Sequence, residues 1–158
     1  MNKIILSTLL LSFFSQASII DEQNEWYLAK NGMYIIRDSI NDGLIATLEK
    51  SRDGMLNIYI QYIDLDGCKD KNGLSSSHDP LYINGTLVKF AQACNNDWRT
   101  FYPISMEGTN HIIREFMRKS NVEVMTYDKS FKPLFSAKGF TKIYNEKQKE
   151  ITIEKNAI

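Results

Sequence analysis

The side chains best suited to chemistry cluster in the stretch DLDGCKDKNGLSSSHDP, residues 64–80. Asp64, Asp66, Asp70 and Asn72 are oxygen donors at close spacing, as a calcium loop requires. The ladder fails where it matters, because Cys68 interrupts it and Ser75 stands where counting from Asp64 places the closing Glu. A solvated turn explains the acids better than a cation site. Ser77-His78-Asp79 supplies the three residue types of a hydrolase triad. Adjacent residues cannot converge as a triad does, because the fold must bring those side chains together from separate places. No G-x-S-x-G elbow accompanies them, and a flexible polar loop is the expectation. His78 and His111 are the two histidines and lie in different segments, without an H-E-x-x-H pair. His111 is expected in the first turn of a helix, exposed. No glycine-rich phosphate cradle is present. Carboxylate pairs can come from any loops, and nothing in the sequence selects one. No cofactor and no metal is expected.

Cys68 and Cys94 are the two cysteines. In an exported chain they read as one disulfide. Closing a loop of about 26 residues contributes roughly 3–4 kcal/mol in the chain-entropy view. Two free thiols or a metal pair is the rival reading, though no C-x-x-C spacing supports it. Asn84-Gly85-Thr86 has the form of a glycosylation sequon, but hairpin-turn chemistry explains it better. Tyr59, Trp98, Phe101 and Tyr102 are candidate recognition aromatics; ordinary sheet packing is the plainer account of each.

These residues must be positioned by short strands. Glu22 to Ala29 reads as a first strand, and Met33 to Arg37 follows an Asn31-Gly32 turn. Leu44 to Leu48 lies between the turns Asn41-Asp42-Gly43 and Arg52-Asp53-Gly54. Met55 to Ile63 is the clearest strand: Leu56, Ile58, Ile60 and Tyr62 share one face, and Asn57, Tyr59, Gln61 and Ile63 the other. Asp64 to Pro80 reads as a long loop. Tyr82 to Val88 is the strongest hairpin signal, an Asn-Gly turn between apolar flanks. Its second arm runs to Cys94, so the disulfide would tie the base of the hairpin to the end of the Met55–Ile63 strand.

Arg99 to Ile143 organises the rest. Phe101 to Ser105 contains Pro103, which predicts an edge strand or a strand end. Glu107 to Asn110 reads as a loop, with Thr109 or Asn110 capping a helix over residues 109–119. Ile112, Ile113, Phe116 and Met117 give that helix its apolar face. Val122, Val124 and Thr126 alternate as a strand, Asp128-Lys129-Ser130 turns, and Leu134 to Ala137 is a further run. Gly139 permits a bulge or tight bend, and Phe140, Ile143 and Tyr144 close over the core. Ile151-Thr152-Ile153 reads either as a last edge strand or as a frayed tail. The expected architecture is mainly β (α+β): an antiparallel β-sandwich or half-barrel with one packed helix.

The chain begins MNKIILSTLLLSFFSQASIID. Lys3, an apolar run from Ile4 to Phe14 and the small residues around Ala17 form a secretory leader pattern. The run is roughly 11 residues, against the ~20 of a spanning helix. Residues 1–17 are therefore expected as a signal peptide and 18–158 as a single exported β-rich domain, with no stable membrane span after cleavage. Acidic and basic residues number 19 each, so no basic field exists for nucleic acid.

The strand Asn121 to Thr126, followed by Phe135-Ser136-Ala137-Lys138-Gly139-Phe140-Thr141, resembles the exported invasion-associated locus B family. Those are small periplasmic β-sandwich proteins of Gram-negative bacteria with cysteine bridges. The N-terminal half and the cysteine placement depart from that pattern. The resemblance implies a fold and a compartment, and carries no catalytic residues. The leading functional expectation is a non-enzymatic periplasmic (alternatively secreted) protein that binds another protein, such as an immunity or inhibitor protein for a toxin or cell-wall hydrolase. Its contacts would be Asp64, Asp66, Asp70, Asn84, Gly85, Trp98 and Tyr102. The alternative is an envelope small-molecule binder of the locus B type, with an apolar pocket between sheet and helix.

Overall fold

The computed structural model describes residues 24–41 and 43–157. The expected signal peptide lies outside the described residues. Nine strands form one antiparallel sheet: β1 Tyr27–Leu28, β2 Tyr34–Arg37, β3 Ile45–Lys50, β4 Leu56–Ile63, β5 Ser75–Ile83, β6 Thr86–Asn95, β7 Trp98–Pro103, β8 Asn121–Met125 and β9 Leu134–Ser136. Two helices among the described residues complete it, α1 Met106–Arg118 and α2 Phe140–Asn156. The spatial order is β1-β2-β3-β4-β7-β6-β5-β8-β9. The mainly β class read from the sequence is the observed one; of the sandwich and the half-barrel it is the half-barrel, with two helices among the described residues instead of one.

The sheet curls until its far sides meet. Asp38 bridges Phe135, and the Ser39 amide donates to the Leu134 carbonyl at 2.9 Å. The Asp38 carboxylate is buried and accepts from the Leu134 amide at 2.7 Å, the Asn41 amide at 2.8 Å and the Ile40 amide at 3.1 Å. Burying a carboxylate is costly unless such donors surround it. One side chain therefore joins the end of β2 to β9 and sets the curl.

Inside the curl lies one apolar core. Leu56, Ile58 and Ile60 point inward from β4, as their alternation predicts. Ile83, Val88 and Phe90 come from the β5–β6 hairpin. Asn84 (φ 45°) and Gly85 (φ 84°) both take the left-handed conformation that a tight two-residue hairpin needs. Ile112 and Phe116 enter from α1, and Phe140 and Ile143 from α2. Trp26 packs against Phe116 and Phe140, with ring centroids 5.3 and 5.1 Å away.

Several boundaries differ from the sequence reading. Ser105, not Thr109 or Asn110, caps α1: its hydroxyl accepts from the Gly108 amide at 3.1 Å. The stretch read as a loop, Glu107 to Asn110, is helical. Gly108 sits there because a Cβ would lie 2.8 Å from Val88 Cγ1 and 3.2 Å from Pro103 Cβ. β7 is not an edge strand; it lies between β4 and β6, with Pro103 as its last residue. Ile151-Thr152-Ile153 is neither strand nor frayed tail but part of α2. Gly139 precedes that helix and forms no bulge. His111 stands beyond the first turn of α1 and is half-buried, its Nε2 3.3 Å from the Ile83 carbonyl.

Candidate functional site

The loop expected over Asp64 to Pro80 ends early. Ser75 to Ile83 is a strand because β6 pairs with it, from Ser75 opposite Ala93 to Ile83 opposite Thr86. The polar composition of SSSHDP hides this, and pairing overrides it. Pro80 is accommodated at a bulge. His78 lies opposite Phe90 and Leu81 opposite Val88, so three steps on β5 match two on β6. In a regular strand His78 and Leu81 would face opposite ways. The bulge turns both toward the same interior face as Phe90 and Val88.

Both residues line a cavity of about 520 Å³ at the end of the half-barrel away from α1. Ile60, Leu81 and Val124 form its floor. Leu44 comes from the β2–β3 turn, and Phe131 and Pro133 from the β8–β9 turn. One wall is a row of rings: Tyr62 stacks on Phe101 at 5.9 Å, and Phe101 meets His78 edge-on at 4.7 Å. Ile63 and Phe131 are exposed at the rim. The volume falls within the roughly 300–1,000 Å³ of small-molecule sites.

Behind the ring wall sits an ion pair. Arg99 Nε donates to Asp64 Oδ2 at 2.6 Å, and its Nη1 to Gln92 Oε1 at 2.7 Å. Asp64 also accepts from the Gly67 amide at 2.9 Å. The hydrogen bond from Arg99 is the main reason the Asp64 carboxyl titrates below its ordinary range. Burial, and then the Asp64 charge, raise the Tyr62 phenol. In the β8–β9 turn, hydrogen bonds from Thr126 and then Ser130 hold Asp128 down to about 2.

The expected cysteine pair is a disulfide, Cys68–Cys94, with Cα atoms 5.4 Å apart. It fastens the loop after β4 to β6. The other sequence candidates do not assemble into one surface. Asp66 and Asp70 are exposed on the disulfide loop, while Asp64 is committed to Arg99. Asn84 and Gly85 lie at the opposite end of the β5–β6 hairpin, roughly 25–30 Å away at strand rise. The Asn84 side chain is tied inward, donating to Glu115 Oε2 and accepting from the Glu123 amide, both at 2.8 Å. Trp98 is half-buried at the start of β7. Tyr102 packs beside Tyr59 at 6.1 Å on the outer face, along a shallow groove with Asn57 and Arg52. Of the aromatic candidates, Phe101 alone belongs to the cavity.

Sequence reasoning missed His78 as a lining residue, along with Tyr62, Leu81 and Phe131. The usable signal was Pro80, which inside a strand marks a bulge. Among the described residues, no three His, Cys, Asp or Glu side chains gather as metal ligands, and no helix is long and apolar enough to cross a membrane. Comparisons with protein families, characterised proteins and solved structures find no match to this chain.

Proposed function

We propose that this protein holds a small, largely apolar ligand in the cavity at the open end of the half-barrel, and does no chemistry on it. The observation that carries this is the cavity itself: about 520 Å³, floored by core side chains and walled by three rings. Sites of this kind favour apolar bodies and use a few polar groups for orientation. The disulfide supports an oxidising compartment, and together with the leader pattern it favours the periplasm or the outside of the cell. The resemblance to the locus B family points to the same compartment. The test is binding of the dye N-phenyl-1-naphthylamine, followed by its fluorescence, to the wild-type protein and to Leu44→Trp, which fills the cavity from the β2–β3 turn. Saturable binding that the variant loses while staying folded is the expected result. Absence of binding, or equal binding by the variant, would sink the proposal.

A protein partner, such as a toxin or envelope hydrolase, is the second reading, and one observation favours it. β8 pairs with β5 only at Tyr82 and Ile83. The outer edge of Ser75 to His78 therefore carries no strand partner among the described residues, and such an edge accepts an added strand.

A further inference from the structure

Resting on the cavity reading, we infer that the ligand is amphipathic and presents a hydrogen-bond donor, of the hydroxyl type, to His78 Nε2. The inference follows from which polar groups on the wall are already committed. Three lining side chains carry polar atoms: Tyr62, His78 and Thr126. The Tyr62 phenol lies within the influence of the Asp64–Arg99 pair, whose charges act on it. The Thr126 hydroxyl donates to Asp128 Oδ1 at 2.7 Å and accepts from the Phe131 amide at 3.1 Å, so it belongs to the protein's own framework.

His78 is different. Its Nδ1 lies 2.7 Å from the Asp79 carbonyl oxygen. A carbonyl oxygen only accepts, so Nδ1 must carry the proton. In the neutral ring Nε2 is then a bare acceptor. No described residue hydrogen-bonds to it. The cavity thus offers an apolar body a side-chain acceptor, His78 Nε2, that no described residue claims. A ligand whose head only accepts, an ether or ester, gains nothing from it. A hydroxyl finds Nε2, and the flat ring row beside it suits an aromatic or fused-ring body. The Asp79-Pro80 bulge is what puts His78 and Leu81 together on the cavity wall, so the specificity group and the irregularity of the strand are one feature.

Three ligands of nearly equal size separate the possibilities: 2-naphthol, which donates; 2-methoxynaphthalene, which only accepts; and naphthalene, which does neither. Calorimetric or fluorescence titration of the full, disulfide-intact protein near neutral pH is expected to rank 2-naphthol about tenfold tighter than naphthalene, the equivalent of one net hydrogen bond. 2-Methoxynaphthalene should stay within about threefold of naphthalene, because it gains no such bond. His78→Phe should abolish the preference for 2-naphthol while still binding naphthalene. His78→Gln, whose carbonyl accepts, should keep part of it. Equal affinity for all three, or a preference for 2-naphthol that survives His78→Phe, overturns the inference and leaves the apolar cavity standing. Failure of all three to bind removes both.

Discussion

The two ends of the half-barrel draw on the same strands and are filled in opposite ways. At one end Trp26, Phe116 and Phe140 pack ring on ring against Phe90, Ile83 and the inward row of β4, closed over by both helices. At the other, beyond Ile60, Leu81 and Val124, no helix of the described residues enters and the same inner face is left as a cavity. Polar groups are distributed accordingly. Asp38, Asp64–Arg99 and Asp128 stand around the open end, where they hold turns and rim in place of a packed core. Stability is concentrated where the interior is full, and the proposed recognition where it is hollow.

The sharpest way to break this contrast is to truncate one ring at each end. Phe140→Ala removes a fully buried ring and should cost about 3–5 kcal/mol. Phe101→Ala, half-buried on the cavity wall, should cost about 1–2 kcal/mol, since that wall has less packing to lose. Urea unfolding of both variants measures the difference; equal losses would mean the two ends are not energetically distinct. A milder change tests the seam. Asp38→Ala leaves the Leu134 and Asn41 amides without their acceptor and should cost about 2–3 kcal/mol, as loss of a charged hydrogen-bonding hub does. Because the turns bearing Leu44 and Pro133 flank that seam, the variant should also lose dye binding more than its stability loss explains. Intact binding would place the cavity's shape elsewhere.

The smallest effect is acid sensitivity. The carboxyls of Asp64 and Asp128 titrate below the ordinary aspartate range in the folded state. Such groups add stability above the unfolded value and lose it as pH falls through the folded one. Between about pH 4 and pH 2, amide protection should therefore be lost first at the open end, at Gly67 and Ser130, which donate to these carboxylates, while the amides of α1 stay protected. Uniform loss of protection at both ends would contradict the division.

Some of this was legible in the residues. The alternation of Leu56 to Tyr62, the Asn84-Gly85 turn and the Cys68–Cys94 pair each encode a local geometry, so they could be read without the rest of the fold. α2 was hidden because Glu146 to Asn156 is mostly charged. Its buried positions, Phe140 and Ile143, sit directly behind Gly139 and imitate a strand turn. The start of α1 was obscured by Gly108, a helix residue chosen for the closeness of Val88. The cavity could not be read at all. Its lining comes from four strands and two turns, and His78 reaches it only because a bulge resets the phase of β5. Asp38 carries no motif; its importance comes from Leu134, distant in sequence and adjacent in space.

Trp26 has one more consequence. Its indole nitrogen donates to the Ser136 carbonyl, 110 positions along the chain, and its ring waits for Phe116 and Phe140. An emerging polypeptide cannot complete this core until Phe140 has been synthesised, so burial of its first tryptophan is postponed almost to the end of translation. A chain built in this order cannot finish its core until its last quarter has been made.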